Sequence, residues 1–418
     1  MRILMLAQFY PPTIGGEERH IRDLSIELAA RGHDVSVVTL WHKGLADFEI
    51  DQGVRIHRIR GTMQRMNVLF SYEDRQFAPP FPDPEALWAL RRIILQERPD
   101  IVHAHNWIVH SFTPLKVWSK AKLVMTLHDY SLVCVQKRLM YHGARCTGPG
   151  LMKCLICATD FYGIGKGVPS TLANGFWGEI ERQTVDMFLP VSQAVVEGTR
   201  LDKHRVPYRV IPNFIPDIAR NDANPLLALL PKGDFLLFVG DVTSDKGAEV
   251  LLQAYAEMDT QVPLVLIGRP SLTGLAERLP PNVFLMGSWP HEAVMEAWSR
   301  CSIGLVPSIV AETFGIVVLE AMYMGRPIIA SRIGGLTDIV VDGECGFLVT
   351  PGDPQPLREA IQNLLNDPAR RKHMGNIARQ RAMDFQAKSV VPRIEQVYHE
   401  LLEVNSTGAH SLVQAGSR

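Results

Sequence analysis

Two carboxylates bracket the most chemically suggestive stretch of the chain, Pro307-Ser308-Ile309-Val310-Ala311-Glu312-Thr313-Phe314-Gly315-Ile316-Val317-Val318-Leu319-Glu320-Ala321-Met322. Its form is strand, loop, helix, with Gly315 suited to the helix start. The amides of Thr313, Phe314 and Gly315 are then placed to donate to anionic oxygens such as those of a diphosphate, and the helix dipole favours that charge. Glu312 precedes the helix, whereas Glu320 falls inside it among Ile316, Val317, Val318 and Leu319. A carboxylate in such company needs hydrogen-bond partners, and sugar hydroxyls would supply them. Spacing alone favours a solvated helix face or an internal salt bridge.

A second strand-turn-helix run, Phe238-Val239-Gly240-Asp241-Val242-Thr243-Ser244-Asp245-Lys246-Gly247, sets Lys246 at a helix start. A cation there opposes the helix dipole, a penalty that contact with an anion would offset. Nearer the N-terminus, Gly15 and Gly16 join the first apolar run to the first helix, and paired glycines let backbone approach a ligand closely. His128 directly follows the apolar run Leu123–Leu127, where a side chain projects beyond a strand's carboxyl end; a buried, satisfied histidine is the plain alternative. Four of the six cysteines follow as Cys134-x11-Cys146-x7-Cys154-x2-Cys157. The closing Cys-x2-Cys resembles half of a structural zinc site, so the four thiolates are candidates to hold Zn2+ or another thiophilic metal, against free buried thiols. Cys301 and Cys345 read as buried thiols.

The elements that must carry these residues alternate in type. Ile3–Ala7, Val35–Leu40, Ile101–Ala104 and Leu123–Leu127 read as buried strands separated by helical or polar stretches. The pattern restarts with Phe235–Val239, Leu264–Ile267, Val283–Leu285, Ile303–Val306 and Pro327–Ala330. Strands alternating with helices imply parallel, doubly wound sheets, and 418 residues exceed one ordinary core. The expected architecture is therefore α/β: two facing Rossmann-like domains, 1–210 (with the Cys-rich segment 134–157) and 211–385. The turn-rich run from Ile211 to Asp217 joins them. Residues 386–404 form a helix that crosses back to the first domain, and 405–418 form a mobile tail. Ligands in such folds bind in the crevice at the carboxyl ends of the strands.

Composition limits the rest. Hydrophobic residues at 46%, charged residues at 21% and 28 scattered prolines describe a folded globular enzyme. A net charge of −1 gives no field that would gather nucleic acid. No apolar run is long enough to span a bilayer, and the N-terminal run lacks a cleavage site, so a cytoplasmic setting is expected, which argues against stable disulfides. Met63–Phe70 is the stretch singled out for a peripheral contact with the inner face of a membrane.

Glu312-x7-Glu320 with Phe314-Gly315 between them resembles the signature of the family-4 retaining glycosyltransferases of GT-B fold. The similarity extends to Gly15-Gly16, Arg31-Gly32-His33, His128-Asp129, Pro212-Asn213, Lys246-Gly247, Asp342-Gly343 and Gly346-Phe347. The resemblance implies transfer of a sugar, with retention, from a UDP- or GDP-sugar donor to an acceptor hydroxyl, with a cell-envelope polysaccharide or glycolipid intermediate as the expected acceptor. By that similarity Glu312 faces the donor sugar, Glu320 bonds the ribose, Gly16 lies under the donor diphosphate or the acceptor, and His128 is a hydrogen-bond partner of the donor sugar. No catalytic cofactor is implied, because the acceptor proton passes to the donor phosphate and the chain has no D-x-D triplet. The family usually carries an arginine after Gly240, where this chain has Asp241; Arg269 and Arg332 are the candidate compensating cations. A nucleotide-sugar epimerase of the same fold, or a catalytically weak nucleotide-sugar-binding protein, is the alternative.

Overall fold

The computed structural model describes residues 1–13, 15–65, 77–216, 224–272, 274–275 and 279–403. The segment 66–70 of the stretch singled out for membrane contact, and the tail 405–418, lie outside them.

The first sheet is built from β1 (Arg2–Leu6), β2 (Asp34–Leu40), β3 (Phe48–Asp51), β4 (Val54–Ile59), β5 (Ile101–His105) and β6 (Lys122–Leu127). A small hairpin, β7 (Met140–Tyr141) and β8 (Ala144–Arg145), intervenes before β9 (Met187–Pro190) completes the sheet. Its order is β3-β4-β2-β1-β5-β6-β9, parallel except for the β3–β4 edge. The second sheet comprises β10 (Leu236–Val239), β11 (Leu264–Ile267), β12 (Val283–Leu285), β13 (Ile303–Val306), β14 (Ile328–Ser331) and β15 (Gly346–Val349). It runs β12-β11-β10-β13-β14-β15, parallel throughout. The molecule is thus an α/β protein of two doubly wound, Rossmann-like halves.

Seven helices bear on the site and on the outer surface: α1 (Gly16–Ala30), α2 (Leu151–Tyr162), α3 (Ile164–Thr184), α4 (Ala248–Ala256), α5 (His291–Arg300), α6 (Ile316–Tyr323) and α7 (Ala387–Glu403). Strands buried on both faces need apolar residues at every position, and β1 shows why. Ile3 and Met5 pack with Ile21, Leu24 and Leu28 of α1 and with Val390, Ile394 and Val397 of α7, while Leu4 and Leu6 join the core on the opposite face. The last helix therefore rests on the first sheet.

Strand order reverses at two places. β1 pairs with β2 on one side and β5 on the other, and β10 pairs with β11 and β13. Connections leaving the carboxyl ends of such neighbours diverge to opposite faces, and the gap between them is where a ligand fits. Gly15, Gly16 and Asn106 follow β1 and β5; Lys246 and Glu312 follow β10 and β13.

Candidate functional site

On the second-sheet side, the loop after β13 turns through Gly315, whose φ of 103° lies in the left-handed region, before α6 begins. A Cβ at Gly315 would press on Leu336, so both conformation and space call for glycine. Among the described residues the amides of Thr313, Phe314 and Gly315 have no protein acceptor, which leaves them as donors at the helix start. Glu312 accepts from Lys246 Nζ at 2.6 Å and from Ser308 Oγ at 2.7 Å. Burial opposes ionisation of Glu312, but the lysine charge and both hydrogen bonds hold its carboxyl below the usual range. Burial likewise works against the Lys246 charge, and Glu312, Asp241 and Asp245 together raise its pKa. The anion that offsets the lysine's position at a helix start is thus the protein's own Glu312.

Glu320 is 3% exposed and is held by two partners the sequence did not reveal. Arg19 Nη1 donates to Oε1 at 3.0 Å from α1 of the first half, and His291 Nε2 lies 2.9 Å from the same oxygen. Sugar hydroxyls were expected in that place. Burial pushes against the charge of Glu320, and the histidine hydrogen bond, with the His291 and Arg19 charges, holds its carboxyl low.

On the first-sheet side, α1 starts at Gly16 with Gly15 extended as its cap. A Cβ on Gly15 would collide with the Glu18 carboxylate, and one on Gly16 would meet Ile316 of α6 at 3.3 Å. Gly16 therefore lets α1 abut the loop-helix unit that carries both glutamates. His128 belongs to a nest of imidazoles: its Nε2 lies 3.0 Å from His105 Nδ1, and its ring sits 5.2 Å from that of His20. Burial, with His103 nearby, pushes His128 down to about 3, so it is neutral at physiological pH. His20 Nδ1 and His105 Nε2 have no partner among the described residues.

Beside this nest lies a polar group that sequence reasoning passed over. Asn106 donates to Glu17, and Lys137 reaches Asn106 Oδ1 at 3.2 Å and Asp129 at 3.7 Å while lying over the Trp107 ring. Burial, Asp129 and Glu18 push the Glu17 carboxyl up to about 8. The polar run Glu17-Glu18-Arg19-His20 straight after paired glycines was the available signal.

Further contacts close the two halves on each other. Ser192 Oγ donates to the Thr313 carbonyl at 2.6 Å, Gln193 N donates to Asp338 at 2.6 Å, and Arg138 pairs with Asp245. The candidate compensating cations are already engaged. Arg269 pairs with Asp241 itself at 2.9 Å, and Arg332 with Asp342. Arg269 therefore offsets the charge of Asp241 locally.

The four cysteines singled out in the sequence come together in space. Cys134, Cys146, Cys154 and Cys157 line one cavity of about 30 Å3. Three of the thiols also have neighbours of their own: Cys154 accepts from Gly150 N at 3.4 Å, Cys157 from Gln136 Nε2 at 3.1 Å, and Cys146 faces the Gly148 carbonyl at 3.5 Å. Among the described residues no three ligand-type side chains are arranged to hold a metal ion. As placed, the four cysteines pack the segment between β6 and α2 against α2 itself. Cys301 and Cys345 are fully buried.

Comparison with known proteins agrees with this geometry. Residues 14–217 match the model of Glycosyltransferase Family 4, and residues 226–381 that of Glycosyl transferases group 1. The D-inositol 3-phosphate glycosyltransferase of Acidothermus cellulolyticus is 31% identical over 331 residues, covering 74% of this chain and 69% of that one. Among solved structures, the sucrose-phosphate synthase of Thermosynechococcus elongatus superposes with a TM-score of 0.73 at 22% identity, over 96% of this chain and 99% of that one. Anabaena HepE, solved with UDP and glucose, gives 0.68 at 17%, over 96% and 100%. Two switch points facing each other, a glutamate pair on one loop-helix unit and these matches lead to one conclusion: the chain belongs to the family-4 glycosyltransferases of GT-B fold.

Proposed function

We propose that this glycosyltransferase takes a UDP- or GDP-sugar as donor and passes the sugar, with retention at the anomeric carbon, to an acceptor hydroxyl on a cell-envelope saccharide or glycolipid intermediate. The observation that carries the reading is that Glu312, Lys246 and the three unclaimed amides before α6 stand together at the carboxyl edge of the second sheet. A structural relative of the same fold was solved with UDP and glucose.

In this scheme the diphosphate rests on the amides of Thr313, Phe314 and Gly315 and draws Lys246 from Glu312. Glu320 turns to the ribose hydroxyls. Glu312, ionised and fixed by Ser308, accepts from the donor sugar's hydroxyls, and neutral His128 approaches the sugar from the opposite wall. The bond from the anomeric carbon to phosphate oxygen breaks while the bond to the acceptor oxygen forms on the same face. The acceptor's proton passes to the departing phosphate oxygen, so no side-chain base is required. Catalysis is mainly stabilisation of the leaving diphosphate.

The test is calorimetric titration with a panel of UDP- and GDP-sugars, followed by NMR of the product's anomeric configuration. Affinity of about 1 μM to 1 mM for at least one donor is expected, with the configuration kept. Binding of none would end the proposal, and an epimerised donor formed without acceptor would replace it with isomerisation.

A further inference from the structure

Between the two halves lies a cavity of about 460 Å3 that the donor chemistry leaves unused. Small-molecule sites span roughly 300–1,000 Å3, so its size suits a ligand. The first half contributes Gln136 and Arg138 from the segment after β6, Tyr141 and His142 from the β7–β8 hairpin, and Asp160 and Phe161 from the end of α2. Ser244 and Asp245 after β10, with Ile309 after β13, form the facing wall. Arg138 pairs with Asp245 across it. Lys137, between Gln136 and Arg138, turns away to Asn106 and the Trp107 ring.

The hairpin carries an unusual residue at its tip. A two-residue loop between paired strands needs left-handed backbone at both positions, which Asn-Gly adopts most readily. Tyr141 pairs with Ala144, so His142 and Gly143 are the loop, with φ of 47° and 76°. Histidine thus stands where asparagine would fold more easily, and its ring lies edge-on to Tyr141 with 4.2 Å between centroids. Strained backbone of this kind concentrates at ligand sites. Among the described residues the Tyr141 hydroxyl, the His142 ring nitrogens, the Asp160 carboxylate and the Ser244 hydroxyl make no hydrogen bond or ion pair. Four unclaimed polar groups and the rings of Tyr141 and Phe161 therefore line one hollow.

Position and charge narrow the ligand. Glu312 is held by Lys246 and Ser308; Asp245 precedes the first of these and Ile309 follows the second. Ile309 N also donates to the Asp245 carbonyl at 2.9 Å. Glu320 and His291, at the ribose in the donor scheme, do not line the cavity. The cavity therefore adjoins the sugar end of the donor and not its nucleoside end. Arg138 and Asp245 offset each other, which leaves Asp160 as the unpaired carboxylate of the lining. A phosphate or carboxylate would be repelled by it. Hydroxyls, in contrast, donate to a carboxylate in charge-assisted bonds, and the apolar faces of a sugar ring suit aromatic side chains.

We propose that this cavity binds an uncharged saccharide unit of the acceptor, with Asp160 receiving its hydroxyls and Tyr141 and Phe161 meeting its ring faces. That the occupant is the acceptor rests on the donor reading above; that it is an uncharged saccharide rests on the cavity's own side chains.

Saturation-transfer NMR of the full chain tests this with maltotriose, cellotriose and lactose as uncharged probes and glucose 6-phosphate as the charged one. At least one uncharged probe is expected to bind, and to lose at least about tenfold in affinity in Asp160→Asn and in Phe161→Ala. Phe161 is 53% exposed and Asp160 is exposed without a hydrogen bond, so both variants keep the fold. Their affinity for UDP- and GDP-sugars, read by calorimetry, should stay that of the parent, which a general loosening of the structure would not allow. Three outcomes overturn the proposal: no uncharged probe binds, the variants bind undiminished, or glucose 6-phosphate binds more tightly than every uncharged probe. Donor binding without saccharide binding removes this inference alone, whereas saccharide binding without any nucleotide-sugar binding removes the transferase reading and leaves the cavity a sugar site.

Discussion

Glu312 and Lys246 meet at 2.6 Å with Ser308 as a third member, so each substitution in this group has a distinct readout. Lys246→Ala removes the cation that a diphosphate would recruit. Donor affinity should fall by about tenfold or more, the usual worth of a charge-assisted hydrogen bond, and unchanged affinity by calorimetry would take Lys246 out of the phosphate site. Glu312→Gln keeps the shape and removes the charge; turnover should drop by about a hundredfold or more with donor affinity changed far less. Equal loss in both would make Glu312 a binding residue only. These residues were legible because a loop-helix unit with two glutamates and a strand-turn-lysine run are local patterns. Arg19 and His291 were not: Arg19 finds Glu320 across 301 positions through the approach of the two halves, and His291 across 29 positions through the packing of α5 on α6.

At the scale of elements, strands buried on both faces could be read almost to the residue. Leu264–Ile267 and Ile303–Val306 were continuous apolar runs and are β11 and β13 as read. Strands with mixed composition escaped: β4, Val-Arg-Ile-His-Arg-Ile, alternates polar with apolar residues, β9 ends in proline, and β15 begins with glycine. The α2–α3 pair was unreadable for another reason, since its exposed apolar residues mimic a core. Tight turns carry their own prediction. Gly247 caps α4 with φ of 73°, and a Cβ there would run into the Pro307 carbonyl oxygen. Gly247→Ala should therefore cost about 2 kcal/mol or more, combining left-handed strain with a backbone clash. A melting temperature within a degree of the parent would contradict this reading of the β10–β13 contact.

The whole molecule should sense acid through its buried histidines. Burial holds His103, His110 and His128 down to about 3, and His20 and His105 well below the ordinary value. An unfolded chain protonates them below about pH 6.5, so it binds more protons than the native state and stability falls as pH drops from there towards 3. Glu17 and Glu181, raised to about 8 by burial, act oppositely and lose stability as pH rises from about 4.5 through 8. Five histidines outweigh two glutamates where the windows overlap. Denaturant midpoints should decline between pH 6 and 5, and His103→Gln should flatten that decline by up to about 1.4 kcal/mol per pH unit. A flat or rising profile would show that the imidazoles take up protons while folded. The Arg19–Glu320 bond has one more consequence. It is a seam between the lobes sewn with the same carboxylate that a nucleoside would claim, so an arriving guest unpicks a stitch as it settles, and the empty enzyme should be the tighter-shut form of the two.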